Sequence, residues 1–435
     1  MSSILTNTSA MVALQTLRGI NSNLAKTQNE ISTGKSVGTA RDNAAVWAIS
    51  KTMEADVKGF KGITDSLALG KSTLAVASKA AETVTDLLTQ MKGRIVAAQE
   101  ENVDRGKIQD DIVALREQIA SVTTTAQFNG LNLLSNRATE AGSGRVDILS
   151  SLDRSADGSV TAANISVAKR DLGTTASSIT VTTAGLAGTD LSDKITDGAA
   201  SAALAGAAVT PAPRDITFSA GNIAAGDGFS IALSASAGDL FGGANNLNTA
   251  NNNTIRYIAR DGDTGADVAA GLAAALNSWL TERGGEGLEV TVAGTENNIL
   301  RITNTSGAAA NTVTIEARAF GSDDTVIGGR LEALNNIDVT SSIGANSALE
   351  QIEGLIQTSI ASAAAFGSAQ GRVETQSSFI SGLIDSLTTG IGSLVDADME
   401  AASARLQALQ VQQQLATQSL SIANQQPQNI LALFR

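Results

Sequence analysis

Between Val46 and Ile95 every seventh residue is apolar: Val46, Met53, Phe60, Leu67, Leu74, Ala81, Leu88 and Ile95. A second series, three residues on, runs Ile49, Asp56, Ile63, Gly70, Ala77, Val84, Met91 and Ala98, broken only by Asp56 and Gly70. A seven-residue repeat held this long confines the chain to a helix supercoiled left-handedly around partners. At 1.5 Å per residue that helix is roughly 80 Å long. A second helix follows, with Ile108, Ile112, Leu115, Ile119 and Val122 on one face. Gly130, in Phe128-Asn129-Gly130, is placed to stop it.

The same spacing returns near the C-terminus. Ile352, Ser359, Phe366, Val373, Ile380, Leu387 and Leu394 form one series. Leu349, Ile356, Ala363, Gln370, Ser377, Ile384 and Ile391 form its companion. After Gly390, Gly392 and Asp396 the register shifts. A new seam then runs through Met399, Leu406, Gln413 and Leu420, with Ala402, Leu409, Ala416, Ala423 and Ile430 beside it. The first forty residues offer a short matching seam of Leu14, Leu17, Leu24 and Ile31, with Asn21 and Gln28 at the intervening positions. Any one of these residues reads as ordinary helix core; the register sustained at both ends is what points to coiled coils.

Glycine marks off the middle, where 26 of the 41 glycines lie between residues 136 and 345. Val146–Leu149 and Asn164–Val167 flank Asp157-Gly158 as a hairpin. Further short strands read at Ser178–Thr182, Asp215–Phe218, Phe229–Leu233, Ile255–Ala259, Leu288–Val292, Leu300–Thr303 and Thr312–Ile315. One amphipathic helix lies among them, its apolar face made by Val268, Leu272, Ala275, Leu276 and Trp279. The expected fold is mostly α, with long terminal helices forming coiled coils and an antiparallel α+β insertion.

Chemistry is sparsely provided for. The chain has no cysteine and no histidine, which excludes disulfides, thiolate nucleophiles and Ser-His-Asp triads. A net charge of -13 opposes nucleic acid and anionic membrane surfaces. No uninterrupted apolar run approaches the ~20 residues that span a bilayer, and the first residues lack the basic start of a secretory signal. The run from Asp261 to Asp267 invites a calcium reading, but Gly265 and Ala266 stand where a ligand and the turn glycine are needed. Those acidic residues read as helix capping. Asp396 and Asp398 likewise open a helix. Neither Rossmann nor P-loop spacing occurs, so no cofactor is expected.

Several ordered motifs resemble those of bacterial flagellins. At the front they are Ile31-Ser32-Thr33-Gly34-Lys35, Ala40-Arg41-Asp42-Asn43-Ala44-Ala45 and Phe128-Asn129-Gly130-Leu131-Asn132. At the back they are Phe366-Gly367-Ser368-Ala369-Gln370, Asp396-Ala397-Asp398-Met399, Gln412-Gln413-Gln414 and Pro427-Gln428-Asn429. The resemblance implies a structural, non-enzymatic subunit of the flagellar filament. Residues 1–43 with 397–435 would form an inner coiled-coil layer, and Leu14, Leu17, Leu24, Ile31, Leu406, Leu409, Ala416, Leu420 and Ala423 its seams. Residues 44–174 with 345–396 would form a middle layer with the hairpin, and 175–344 an outer variable domain. It further implies export to the cell exterior with a chaperone, and contact with hook-associated and cap proteins. The partner in the filament would be the chain itself, alone or with other flagellins.

The family's stretch that binds the animal innate receptor has arginine, leucine and glutamate where this chain has Lys92, Val96 and Asp111, so that recognition is expected to be weak. The nearest rival is the hook–filament junction protein, which shares the terminal coiled coils but tends to carry proline after the paired acidic residues. Here Asp42-Asn43 runs into Ala44-Ala45. A surface adhesin would need a secretion signal, and an enzymatic outer domain would depend on carboxylates that show no distinguishing spacing.

Overall fold

The structure is a computed structural model that describes residues 7–155, 159–179, 194–196, 202–205, 212–219, 221, 223–237, 254–282, 287–307 and 311–433. The hairpin tip Asp157-Gly158 and the end of the Ser178–Thr182 strand lie outside the described residues, as does the side chain of Ile430. Helix α1 spans Thr8–Thr33, α2 Ala44–Ala97, α3 Arg105–Thr125, α4 Gly265–Glu282, α5 Ser342–Val395 and α6 Met399–Leu433.

The ends of these helices are written in polar residues. Asn7 caps α1, its Oδ1 accepting the Ala10 N–H at 3.0 Å, and Asn43 Oδ1 accepts the Val46 N–H at 3.2 Å to start α2. Arg105 closes the other end of α2 by donating to Ala98 O at 2.8 Å and Glu100 O at 3.1 Å. Helix α3 stops at Thr125, short of Gly130. Asn129 and Gly130 (φ 51° and 79°) instead form a two-residue turn. Phe128 and Leu131 close it with reciprocal backbone hydrogen bonds of 2.9 and 3.0 Å. Positive φ at both central residues is the geometry that favours Asn-Gly.

The described chain gathers into two units. One holds residues 66–150 and 164–375. In it Leu67, Leu74, Ala81, Leu88 and Ile95 are buried, as are Ala77, Val84, Met91 and Ala98 of the second α2 series. Ile352, Phe366 and Val373 of α5 are buried with them. The two helices run antiparallel, fixed by Lys71–Glu374 (2.8 Å) and Lys92–Glu353 and, between them, by Thr85 and Ser359 hydroxyls 2.9 Å apart. Ser359 sits at a core position of the repeat with no exposure and also donates to Ala81 O. By length and composition α5 is apolar enough to cross a membrane, but its apolar positions keep helix-pairing spacing.

The two breaks in the α2 repeat have structural partners. A Cβ at Gly70 would lie 2.7 Å from Ile148 of strand β1 (Arg145–Arg154), so the missing side chain makes room for the strand. Asp56 accepts Arg154 Nε at 3.1 Å. Strand β2 (Val160–Ala168) pairs with β1.

The β-rich insertion continues with β3 (Ser178–Ile179), β4 (Ile195–Thr196), β5 (Ala202–Ala205), β6 (Arg214–Phe218), β7 (Gly228–Ala237), β8 (Thr254–Ile258), β9 (Leu288–Ala293), β10 (Ile299–Asn304), β11 (Thr312–Phe320) and β12 (Thr325–Val326). Among the described residues these form a separate β3–β12 pair and two four-stranded antiparallel sheets, ordered β4-β6-β10-β9 and β5-β11-β7-β8. Their alternate apolar residues form one core with Val268, Leu272 and Leu276 of α4, and Phe218 meets Phe229 edge to face at 5.5 Å. Asn277 of α4 donates to Val290 O of β9, an edge strand.

The acidic run at 261–267 is fully employed. Asp267 caps α4 through the Thr264 N–H at 2.8 Å, as expected. Asp263 instead accepts the Tyr257 hydroxyl and an Arg330 N–H, both at 2.7 Å. Burial beside Asp263 pushes the Tyr257 phenol well above its ordinary range.

Candidate assembly surface

The second unit holds residues 1–65, 151–163 and 376–435. Within it α1 and α6 lie antiparallel. Asn7 Nδ2 donates to Ala423 O at 2.9 Å, Gln413 Nε2 to Asn21 Oδ1 at 2.7 Å, and Arg405 stands 3.9 Å from Glu30. On α6, Ala402, Leu409 and Ala423 are buried and Leu406, Gln413, Ala416 and Leu420 half-buried, whereas Met399, expected as the first position of this seam, is 44% exposed. On α1 one half of the expected seam is corrected. Leu17, Leu24 and Ile31 do face the partner, but Leu14 is 40% exposed. The companion positions are Ala13, Ile20 and Thr27, four residues before each leucine or isoleucine rather than three, and Thr27 is only 2% exposed. A large leucine at 14 and small residues at 13 and 27 hide this choice in the sequence.

This pairing leaves apolar surface over. Met11, Val12 and Leu14 of α1 are exposed, and so are Met399, Val411, Leu415 and Ile422 of α6. Elsewhere in the same unit Ile49, Phe379 and Leu394 are exposed too. Of these, Val411, Leu415 and Ile422 share one face of α6 by their spacing of four and seven, an exposed apolar stripe of the kind that marks an interaction surface.

The motif residues knot the helix ends together. Ser36 N–H donates to Val395 O at 2.7 Å, Ala397 N–H donates to Gly34 O at 2.9 Å, and Lys35 and Asp396 form an antiparallel bridge. Asp398 caps α6, accepting from Glu400 and Ala401 N–H at 3.0 and 3.1 Å. Asp42 accepts the Thr39 N–H and hydroxyl, both at 2.9 Å, and these bonds hold its carboxyl below the usual range. Arg41 is exposed. Sequence reasoning passed over Glu54, which receives Lys51 at 2.6 Å and Lys35 at 3.5 Å.

In the other unit, Lys92 is engaged by Glu353, Asp111 lies 3.4 Å from Arg94, and Val96 is exposed. Among the described residues no group of three acidic side chains could hold a metal ion.

Terminal helices tied together at their ends, with apolar side chains left exposed on both, are the pattern of a chain that associates with others. The bacterial flagellin N-terminal helical region matches residues 4–139, and the C-terminal helical region matches residues 349–434. Flagellin D of Rhizobium meliloti (strain 1021) is 34% identical over 442 residues, and Flagellin A of Rhizobium meliloti 35% over 449, each covering all of both chains. The chain belongs to the bacterial flagellin family and is a structural subunit of the flagellar filament, which lies outside the cell.

Among solved structures, flagellar hook associated protein-3 from Legionella pneumophila aligns at TM-score 0.34 and 11% identity, covering 79% of this chain and 98% of that one. FliC from Burkholderia pseudomallei aligns at TM-score 0.30 and 13% identity, covering 70% and 99%. At these scores the two do not discriminate filament subunit from junction protein; the full-length sequence identities do.

Proposed function

We propose that residues 1–43 and 397–435 form the inner layer of the filament, 44–174 and 345–396 the middle layer, and 175–344 an outer variable domain. The observation that supports this is the surface left over on α1 and α6. Each helix covers one apolar face with the other and presents a second face that only further copies can bury. A heterologous contact of that kind repeats without closing, which gives an open filament. Catalysis has no part in this reading.

In the same reading Leu14 contacts neighbouring subunits, whereas Leu17, Leu24, Ile31, Leu406, Leu409, Ala416, Leu420 and Ala423 make the seam within a subunit. Exposed Arg41 extends the intersubunit surface. Asp42, Asn43, Asp396 and Asp398 hold the helix ends in place, and Phe128, Asn129 and Gly130 the turn after α3. The subunit leaves the cell through the flagellar export channel with a chaperone, and meets hook-associated and cap proteins at the filament's ends. Introducing Asp at Val411 or Ile422 tests the surface: polymerisation should stop while the monomer's helix content stays unchanged. Normal filaments from both variants would sink it.

Lys92, Val96 and Asp111 support weak recognition by the animal innate flagellin receptor. Lys92 presents an ammonium already engaged by Glu353, where a guanidinium fork would be wanted. A receptor-signalling assay giving potency comparable to enteric flagellins would overturn this.

A further inference from the structure

The chain enters and leaves the β-rich insertion through two segments that pair with each other. Gly329 N–H donates to Thr175 O at 2.8 Å and Leu331 N–H to Gly173 O at 3.0 Å. Strands β3 and β12 continue the pairing, with Ile179 opposite Thr325. A two-stranded ribbon is weak on its own and twists readily. Taken alone, it would mount the insertion on a hinge.

A third attachment lies away from that ribbon in sequence. Asp261 follows β8, and its Oδ2 accepts the Gly144 N–H at 2.7 Å while Oδ1 accepts the Gly142 N–H at 3.1 Å. Its main-chain oxygen accepts Asn136 Nδ2 at 3.2 Å. Two backbone N–H groups converging on one carboxylate make a nest, and bonds to an ionised acceptor are about twice as strong as neutral ones. Any Cβ at Gly144 would collide with the Asp261 main-chain oxygen, so this close approach requires glycine. The support behind the contact is buried: Asn136 N–H donates to Asp171 Oδ2 at 2.9 Å, and Asp171 Oδ1 accepts the Gly173 N–H of the ribbon at 2.8 Å.

We propose that Asp261 is a positioning residue that latches the insertion onto the 136–144 segment, turning a two-stranded hinge into a fixed mount. The neighbouring residues act in the same sense. Arg260 donates to Gly328 O at 2.7 Å and Asp263 receives Arg330, so the loop after β8 also grips the exit strand. The latch rests on the layered reading of the filament, in which the insertion faces outward.

The test uses the full chain carrying Asp261→Ala, Asp261→Asn or Gly144→Ala, with hydrogen exchange on the monomer and image reconstruction of the filament. The Gly144 amide should exchange about 10–100-fold faster in Asp261→Ala, as loss of a charge-assisted bond predicts. Asp261→Asn, which keeps one acceptor, should fall between that variant and the parent. Gly144→Ala reaches the contact from the other side and should loosen the insertion as Asp261→Ala does, even if one variant folds poorly. Filaments should still form, with the insertion's density blurred and the α2 amides as protected as before. An unchanged Gly144 amide, or an insertion as sharply ordered as in the parent filament, overturns the latch. Loosened amides together with loss of polymerisation in every variant would instead overturn the layered reading.

Discussion

Leu14 and Ile20 differ in what surrounds them, and that difference assigns them different work. Ile20 is half-buried in the α1–α6 seam, whereas Leu14 points away from it. An aspartate at position 20 should separate the two helices in the monomer, because it would desolvate a charge with no partner. An aspartate at position 14 should leave the pair intact and act only on polymerisation. Hydrogen exchange across α1 distinguishes them, and equal loss of protection in both variants would contradict the corrected seam. Gly130 offers a purely local case. Its φ of 79° is one that side chains rarely adopt, so Gly130→Ala should cost about 1 kcal/mol. A denaturant midpoint unmoved by that substitution would show that the turn is not held in the folded chain.

Helices α2 and α5 were legible because a repeat of seven persists through both, whatever individual residues do. The exceptions were legible only as exceptions. Asp56 and Gly70 weaken the pattern because β1 meets α2 through Arg154 and Ile148, a contact that a one-dimensional periodicity cannot contain. Strand β5, Ala202–Ala205, was missed because alanine has no strand preference and acquires strand structure here by pairing with β11. The spacing of three against four in α1 was misread because side-chain size outweighed register. Ion pairs along the α2–α5 face were likewise invisible, and they carry a pH dependence. Lys92 and Lys71 hold the carboxyls of Glu353 and Glu374 below the ordinary glutamate value of 4.5. A carboxyl depressed in the folded state stabilises it above the unfolded value, and that contribution disappears as pH falls through the folded one. Acidifying below about 4.5 should therefore lower the melting temperature of the parent more than that of Lys71→Gln combined with Lys92→Gln. Both groups are solvent-exposed, so salt should shrink the difference. Parallel curves for the two proteins would remove these pairs from the account.

At the scale of the whole molecule, the flanks of the insertion are tied to the helices around them. Gln109 of α3 donates to Ile337 O at 3.0 Å and accepts the Val339 N–H at 2.9 Å, and Leu331, Leu334 and Val339 are buried. A chain lacking residues 180–324, rejoined by a short linker, should polymerise and melt close to the parent. Removing 175–344 should still allow filaments but at a lower melting temperature, since it takes away the segment that Gln109 holds. Calorimetry on both deletions decides this, and a more stable larger deletion would reverse it. The terminal helices should behave differently from all of these. Their seam is half alanine, threonine and glutamine, so sparse that without neighbours it only marginally offsets an ordering cost of about 1–2 kcal/mol per residue. Amides of α1 and α6 should be the least protected helical amides of the monomer and slow markedly in the filament; equal protection in both states would contradict it. The knot between these ends also tests the chain for completeness. Asn7 finds Ala423 across 416 residues of sequence, and Ser36 finds Val395 across 359. A chain that breaks off early carries α1 but not its counterpart, and on the proposed assembly it would never build the paired surface by which copies join. Truncated products would then exclude themselves from the polymer without a separate proofreader.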